Sequence, residues 1–319
     1  MIQYLHLGRV PYAKALRLQE ELVALRQQDR IANTLLLLEH PPVLTLGRNA
    51  NRSNILASDE MLAKRGVTVH EINRGGDVTY HGPGQLIGYP IFDLRSLRNP
   101  NGNRLPPQRQ GPVVGGPDRL GPVDFVRLME EALIRLCGEF DVHAGRICGL
   151  TGVWCGLPSG IADGSPKSDQ LQASSKGLPP AGAKIAAIGI HVARGVTSHG
   201  FAFNVTTDLR DFTLINPCGI TGRPVTSLEK EVSRPETLPG LEAIAHQAAR
   251  QFGLVFNEQV LALPSLDALR AQAKSAPVAP PDLPALEPPP PAFPAQDTPL
   301  QVPPEIERLR RTKDRPVNA

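Results

Sequence analysis

A glycine-rich stretch at residues 74–85 constrains the fold of this chain more than any other part of its sequence. It reads RGGDVTYHGPGQ, so glycines and a proline surround one arginine, one aspartate, one tyrosine and one histidine. No helix can run through this stretch, since glycine and proline both oppose helix formation. Glycines also leave room for a ligand to lie against the main chain. We therefore predict a loop that displays chemically active side chains.

The sequence on either side of this loop predicts two strands. Residues 67–72 alternate between apolar and polar side chains, and residues 86–91 form an apolar run. The loop could be a glycine-rich hairpin without a ligand, but polar side chains as dense as these need partners or a substrate when they are buried. A phosphate-binding loop is excluded, because the stretch lacks the Gly-Lys-Ser/Thr ending of that motif.

Short predicted strands that are close neighbours along the chain favour an α+β fold. Apolar residues at three- and four-residue steps predict helices, whereas short apolar or alternating runs predict strands. This set favours a mixed, largely antiparallel sheet flanked by helices over a doubly wound parallel sheet. The predicted helices cover residues 12–28, a segment that starts at 122–124 and a segment with Leu241, Ile244, Ala248 and Phe252; the predicted strands cover 34–39, 43–46, 152–155, 184–189 and 201–205.

Composition separates one domain from its additions. Residues 1–263 are predicted to form the domain, with inserted loops at about 99–122 and 157–183 that are rich in proline and glycine. The segment 264–319 holds 14 of the 33 prolines and no glycine. Such a segment cannot bury enough apolar surface to offset the entropy lost on ordering it. We expect a disordered tail, and we expect truncation near Pro264 to leave folding almost unchanged.

Charge and cysteine usage narrow the class of protein. The formal net charge of +3 is too small for nucleic-acid binding by charge alone. Residues 1–10 lack the apolar run of a signal peptide or membrane span, and no Cys-x-x-Cys pair occurs, so we expect a cytoplasmic protein with reduced thiols and no membrane partner. No spacing of His, Asp and Glu suggests a metal site. Cys137, Cys148 and Cys155 are expected to be small core residues.

Cys218 differs from the other cysteines because it sits between Pro217 and Gly219, in a loop-like setting. A loop thiol is a candidate nucleophile, but it attacks as the thiolate and needs a positive or basic neighbour. Lys184 begins an apolar strand, where partial loss of water would let it act as a base and an acid. The alternative is that Lys184 only flanks a strand and that Cys218 is a buried spacer.

Four motifs, at residues 74–91, 184–189, 199–205 and 216–219, resemble the lipoyl(octanoyl) transferase family in kind and in order. The resemblance covers residues 2–256 apart from the two insertions. It implies a single catalytic domain of the biotin/lipoate-protein ligase fold. It also implies an acyltransferase that moves an octanoyl group from octanoyl-acyl carrier protein to a lysine of lipoyl domains, as the first step of endogenous protein lipoylation. The acceptors would be 2-oxoacid dehydrogenase E2 subunits and the glycine cleavage H protein, and the enzyme would act as a monomer.

The resemblance also assigns roles to residues. Cys218 would carry the octanoyl group as a thioester, and Lys184 would lower the pKa of that thiol and transfer protons. No cofactor and no metal are implied. The acyl site would be formed by Arg74, Gly75, Gly76, Asp77, Val78, Thr79, Tyr80, His81, Ala187, Ile188, Gly189, Gly200, Phe201 and Ala202.

Two other functions stay open for the same fold. An ATP-dependent lipoate–protein ligase would share the glycine-rich loop and the lysine but would not need Cys218, and its transfer would require ATP. A non-catalytic binding protein could keep the fold without turnover, although Lys184 and Cys218 are the residues that it would lose first.

Overall fold

The computed structural model describes residues 1–100, 120–157, 182–216 and 223–275. Their strands form a large eight-stranded sheet and a small three-stranded sheet. The strands are β1 (Ile2–Arg9), β2 (Asn33–Glu39), β3 (Val43–Leu46), β4 (Thr68–Glu71), β5 (Val78–His81), β6 (Gln85–Ile91), β7 (Ala144–Ile147), β8 (Leu150–Cys155), β9 (Ala183–Ala193), β10 (Val196–Asn204) and β11 (Val260–Ala262).

The three helices that the sequence predicts are present, at residues 12–27, 122–138 and 241–256. Ser58 caps a further helix at residues 59–64, because its hydroxyl accepts from the Met61 amide. The helix at 122–138 begins at Pro122, which fits the first turn because proline has no N–H to leave unpaired. The helices are α1 (Tyr12–Gln27), α2 (Asp59–Lys64), α3 (Pro122–Gly138), α4 (Leu228–Glu231), α5 (Leu241–Phe256) and α6 (Leu266–Ser275).

The large sheet has the strand order β11-β1-β2-β6-β10-β9-β8-β7. β1 runs parallel to β2 and to β11, whereas each neighbouring pair from β2 to β7 is antiparallel. In the small sheet, β3 pairs with β4 in parallel and with β5 antiparallel. The prediction of a mixed, largely antiparallel sheet flanked by helices is confirmed.

Strand β2 explains why a nearly continuous run of leucines suits the centre of the large sheet. Successive side chains of a strand point to opposite faces. Leu35 and Leu37 pack into the core that includes α3 and α5, and Leu36 and Leu38 pack into the core that includes α1 and α6. All four side chains are fully buried. A strand covered on both faces needs apolar residues at every position.

The glycine-rich stretch is only partly a loop. Val78–His81 forms strand β5, which pairs with β3 in the small sheet, whereas Gln85 already begins β6 of the large sheet. The prediction of a loop through residues 74–85 was therefore wrong for its middle four residues. A β-branched and aromatic run such as Val-Thr-Tyr suits a strand, and this preference prevailed over the flanking glycines. The stretch links the two sheets.

The predicted tail begins with a packed helix. Leu269 and Ala273 of α6 are buried in the core that also contains Ala15, Leu18 and Leu22 of α1. The prediction of a disordered tail was wrong for the ten residues of α6. Residues 276–319 lie outside the described part of the chain, so the rest of that prediction and the division of the chain into domains stay untested.

The strands predicted at 152–155 and 184–189, on either side of the second insertion, are present as β8 and β9 and pair antiparallel. Most of both insertions, at 101–119 and 158–181, lies outside the described residues. In the described part of the chain, no helix is both long and apolar enough to cross a membrane.

Candidate active site

A cleft lies between the small sheet and the face of the large sheet that carries α1. Its walls come from the glycine-rich stretch, from the middle of β9 and from β10, which are three of the four motifs singled out in the sequence. The lining residues are Tyr12, Arg74, Gly75, Gly76, Thr79, His81, Tyr89, Ala187, Ile188, Gly189, His199, Gly200, Phe201 and Ala202. The structure therefore brings together segments that are distant in the sequence.

Glycine allows the two walls of the cleft to approach each other. The amide of Gly75 donates to the carbonyl of Ile190 at 3.1 Å, which ties the loop to β9. A Cβ atom on Gly189 would lie 2.8 Å from the carbonyl oxygen of Gly75. Such a contact is too short for any side chain, so the main chain itself forms this wall.

Strand β5 separates the predicted acyl-site residues into two groups. Thr79 and His81 face the cleft, whereas Val78 and Tyr80 pack into the core of the small sheet. The Tyr80 hydroxyl donates to Asp211 at 2.6 Å, and burial raises the pKa of that hydroxyl well above its usual range. Asp77 accepts from the main chain of Asn51 and its own neighbour Val78. Asp77, Val78 and Tyr80 thus shape the cleft without lining it.

Arg74 is held against β3. Its Nη2 donates to the carbonyl oxygen of Thr45 at 2.7 Å and to the Thr45 hydroxyl at 2.9 Å. Its Nη1 donates to the carbonyl oxygen of Gly75 at 3.0 Å. The guanidinium is buried, and these bonds fix its plane within the cleft wall.

The cleft carries uncharged imidazoles. Burial lowers the pKa of His81 to about 3 and that of His199 to about 4. His40 lies behind the cleft, where burial lowers its pKa to about 4 and its Nε2 bonds to the Tyr89 hydroxyl at 2.7 Å. The ring of Tyr12 stacks on that of His81 with centroids 6.4 Å apart, and burial raises the pKa of Tyr12 to about 12. At neutral pH these histidine and tyrosine side chains are therefore uncharged and can still form hydrogen bonds.

Sequence reasoning missed three lining residues, namely Tyr12, Tyr89 and His199. Tyr12 and Tyr89 occupy ordinary positions in an amphipathic helix and an apolar strand, and no local pattern marks them. His199 has a detectable signal, because it precedes Gly200 in a motif, yet a strand histidine alone is more often structural. Its main chain has a positive φ of 55°, and its Nε2 lies 2.7 Å from Asn73 Oδ1.

A bulge turns Lys184 toward the cleft face. In β8 and β9, Val153 pairs with Ala186 and Trp154 pairs with Lys184, so Ile185 is an extra residue on β9. Ile185 and Ala186 consequently both enter the large core. Without the bulge, Lys184 and Ala187 would point to opposite faces of the strand.

The amine of Lys184 has defined neighbours. Its Nζ donates to the carbonyl oxygen of Thr151 at 3.3 Å and lies 4.7 Å from the centroid of the Trp154 ring. The neighbouring Gly152 has a φ of +127°, and its amide donates to Glu130 Oε1 at 2.9 Å. Glu130 is fully buried, and its other oxygen accepts from Arg146 at 3.1 Å. An ion pair between α3 and β7 thus anchors the start of β8, against which the Lys184 amine rests.

Cys218 lies outside the described residues, as do its neighbours at 217–222. On one flank, the Asn216 amide donates to the carbonyl oxygen of Asn54 at 2.7 Å; on the other, the Lys184 amide donates to the carbonyl oxygen of Pro224 at 2.9 Å. The assignment of Cys218 as nucleophile therefore stays a prediction.

The other cysteines differ in their surroundings. Cys137 and Cys155 are buried, as predicted, but Cys148 is exposed, so its assignment to the core was wrong. Cys148 stands next to Gly149, whose positive φ of 76° belongs to a turn at the surface between β7 and β8.

Within the described residues, no group of three or more His, Cys, Asp or Glu side chains could hold a metal ion.

Comparison with known proteins now identifies the family. The model of the lipoyl protein ligase A/B catalytic domain matches residues 11–104 and 112–252. The chain belongs to this family. The matched range includes every described strand that lines the cleft, and it includes Lys184 and Cys218.

Two curated relatives of this chain carry the same name. A protein from Acidobacterium capsulatum that is named octanoyltransferase is 56% identical over 265 residues, which are 83% of this chain and 94% of that relative. A protein of the same name from Koribacter versatilis is 48% identical over 282 residues, which are 88% of this chain and 95% of the relative. The predicted resemblance to octanoyltransferases, and with it the prediction of an acyltransferase, is confirmed.

Solved structures of lipoyl protein ligases show the same fold. The crystal structure of lipoate-protein ligase A bound with ATP has a TM-score of 0.54 at 13% identity and covers 86% of this chain and 93% of its own. The bi-partite lipoate protein ligase of Thermoplasma acidophilum has a TM-score of 0.52 at 13% identity, with 86% and 91% covered. At such identities the likeness concerns the fold alone, and it confirms the predicted ligase-like architecture.

Proposed function

We propose that this chain transfers an octanoyl group from octanoyl-acyl carrier protein to the lysine side chain of lipoyl domains, through a thioester on Cys218. The observation that carries the proposal is the arrangement of strand β9. Its bulge turns the Lys184 amine to the face on which Ala187 and Gly189 line a narrow cleft. An alkyl chain held against glycine main chain and small side chains would thus end beside a basic amine.

The first half-reaction acylates the enzyme. Lys184 in its neutral form takes the proton of the Cys218 thiol, and the thiolate attacks the carbonyl carbon of the donor thioester. The bond between that carbon and the donor sulfur then breaks. The donor leaves as a thiol after receiving the proton from Lys184. One thioester replaces another, so this exchange needs no nucleotide.

The second half-reaction uses the same groups in the reverse order. The amine of the acceptor lysine attacks the Cys218 thioester, and the bond between the carbonyl carbon and the Cys218 sulfur breaks. Lys184 takes a proton from the attacking nitrogen and returns it to the thiolate. The amide that forms is more stable than the thioester, which drives the transfer forward.

The wall chemistry of the cleft supports an acyl chain as ligand. His81 and His199 are neutral because burial lowers both pKa values, so they do not oppose an alkyl chain as cations would. Arg74 Nη1 is engaged with the carbonyl oxygen of Gly75. The proposal includes the lipoyl domains of 2-oxoacid dehydrogenase E2 subunits and the glycine cleavage H protein as acceptors. It also includes a cytoplasmic location.

An ATP-dependent ligase is the second candidate, because the fold is shared with a lipoate-protein ligase A whose structure holds ATP. The two candidates differ in the atom that carries the acyl group. A ligase activates the free acid as an adenylate, whereas the proposed enzyme holds the acyl group on sulfur.

The test is incubation of the purified chain with octanoyl-acyl carrier protein in the absence of ATP and acceptor. We expect an octanoyl adduct that hydroxylamine removes, that digestion places on the peptide containing Cys218, and that Cys218→Ala abolishes together with product. Alanine at Cys137, Cys148 or Cys155 serves as the matched control and should retain turnover. Normal transfer by Cys218→Ala, or transfer that depends on ATP, would overturn the proposal in favour of the ligase.

A further inference from the structure

A directed chain of hydrogen bonds runs through the interior from the main chain beside Lys184 to the guanidinium of Arg74. Its members are buried side chains from the small sheet, β6 and β10, and one carbonyl group that follows the segment 217–222. The direction of the whole chain follows from its first member, a carbonyl oxygen that can only accept. The members are Thr226, Asn204, Gln85, His81, Thr45 and Arg74.

The direction is set at Thr226. Its carbonyl oxygen can only accept, so the group of Asn204 that faces it at 2.8 Å is the amide nitrogen. The carbonyl oxygen of Asn204 consequently faces Gln85 and accepts from Gln85 Nε2 at 2.8 Å. Gln85 must then present its own oxygen to the next member of the chain. The main chain of Thr226 is bonded to Lys184, whose carbonyl oxygen accepts from the Thr226 amide at 2.9 Å.

The oxygen of Gln85 determines the tautomer of His81. Gln85 Oε1 lies 2.9 Å from His81 Nδ1. Because this oxygen carries no hydrogen, Nδ1 must be the protonated nitrogen. The ring is neutral, so Nε2 has a lone pair, and it accepts from the Thr45 hydroxyl at 3.3 Å. The opposite tautomer would bring two lone pairs together between Gln85 and His81.

The Thr45 hydroxyl connects the tautomer of His81 to the position of Arg74, because it bonds both side chains. A hydroxyl has a single proton, and Thr45 gives it to His81, so its lone pairs are available to Arg74. Arg74 Nη2 donates to this oxygen at 2.9 Å and Nε donates at 3.3 Å. If His81 carried its proton on Nε2, that N–H would compete with Arg74 for the same oxygen.

We propose that Gln85 and Asn204 are positioning residues that fix the tautomer of His81 and, through Thr45, the orientation of Arg74 in the cleft. Neither residue lines the cleft itself. The consequence for catalysis rests on the proposed function: a fixed Arg74 and an uncharged His81 prepare the wall that receives the acyl donor. The consequence for the tautomer does not depend on any activity.

The decisive measurement is a long-range ¹H–¹⁵N spectrum of protein with ¹⁵N-labelled histidine. At pH 7 we expect His81 with a protonated Nδ1 and an unprotonated Nε2. The groups that face its ring are Tyr12, His40, Arg74 and His199. The His81 signals are assigned by their loss in His81→Asn. A wild-type ring protonated on Nε2, or on both nitrogens, would overturn the proposal.

Two substitutions at one position separate hydrogen bonding from packing. Gln85→Glu keeps the acceptor for His81 Nδ1 and should keep that tautomer. Gln85→Leu removes the acceptor and should give a ring with substantial protonation on Nε2. For Gln85→Leu we also expect the KM for octanoyl-acyl carrier protein to rise about tenfold, the size expected when one internal hydrogen bond is lost.

Gln251→Leu is the matched control, since Gln251 is an equally buried glutamine that bonds Glu139 at 2.7 Å, far from the cleft. It should change neither the His81 signals nor KM. If Gln85→Leu left both unchanged as well, Gln85 would not position anything. If the tautomer changed in Gln85→Leu while no variant transferred octanoate, the positioning role would stand and the proposed function would fail. Should Gln85→Leu not fold, the wild-type and Gln85→Glu spectra still decide the tautomer.

Discussion

The ammonium nitrogen of Lys184 lies 4.7 Å from the ring centroid of Trp154, its direct partner across the β8–β9 ladder. The guanidinium carbon of Arg223 lies 5.6 Å from the same ring. Trp154 is almost fully buried, so its ring is a fixed surface on which both cations rest. The tryptophan therefore restricts the volume that the Lys184 amine can sample.

Replacing Trp154 tests this restriction. Trp154→Phe keeps an aromatic face, whereas Trp154→Leu removes it. We expect the leucine variant to transfer octanoate about fivefold more slowly, which corresponds to roughly 1 kcal/mol of lost cation–π contact, and the phenylalanine variant to stay within about twofold of the original rate. Initial rates should be measured well below the unfolding temperature of each variant. Equal losses in both variants would show that ring volume, and not the aromatic face, matters.

Lys184→Arg separates charge from proton transfer. Arginine keeps the positive charge at this position but does not release a proton at working pH. We expect the variant to lose most of its turnover, measured as octanoate delivered to the acceptor lysine. Arg135→Lys, a change between the same two residue types on the exposed side of α3, is a suitable control. Transfer by Lys184→Arg at the original rate would leave Lys184 with an electrostatic role alone.

Helix α6 makes the position of a C-terminal truncation matter. A chain that ends at Val278 should keep its free energy of unfolding, because the proline-rich composition of the removed residues predicts that they do not pack on the domain. A chain that ends at Leu263 should lose about 3 kcal/mol of unfolding free energy, because the side chains of Leu269 and Ala273 leave the core beneath α1. Urea unfolding of the two truncated chains beside the full chain measures the difference. Equal stability of both would mean that α6 contributes nothing to the fold.

The free energy of unfolding should fall on acidification at pH values above those at which carboxylates titrate. His40, His81 and His199 have pKa values of about 4, 3 and 4 in the fold, where burial is the main cause, against 6.5 in the unfolded chain. Below pH 6.5 the unfolded chain therefore binds protons that the folded chain does not. Stability is full above that pH and falls toward pH 4, with each group contributing up to about 1.4 kcal/mol per pH unit.

Urea unfolding at pH 7, 6 and 5 covers this window. Carboxylates with a lowered pKa, such as Glu131, contribute only below their ordinary value of 4.5. An unfolding free energy that does not change between pH 7 and pH 5 would contradict the burial of three neutral histidines.

Patterns confined to one element could be predicted from the sequence. The leucines of β2 and the apolar stripe of α1 are local and strong, so both elements were predicted within one or two residues. Part of the glycine-rich stretch lines the cleft, whereas its role as an acyl site stays a prediction. Proline composition outweighed the weaker helical spacing of Leu266, Leu269 and Ala273, which is why α6 was missed.

Features that depend on how elements meet could not be predicted. The stretch around Tyr80 reads as one motif, but the alternation of β5 sends that residue and Val78 into the other core. Tyr12 joins the cleft only because α1 crosses the large sheet near β10. The direction of the bonds around Gln85 emerges only when three strands are in register. Nothing local in the sequence encodes these relations.

The bulge at Ile185 determines which face of the large sheet each residue at the start of β9 occupies. Deleting that residue would restore a regular strand and exchange the faces of every position on its amino-terminal side. Lys184 would then enter the apolar core, and its charge would oppose folding. Ile185 itself never touches the cleft, because its side chain is wholly inside the core. Ile185 therefore fills the core with its side chain and, by its place in the strand, sets the face on which Lys184 lies.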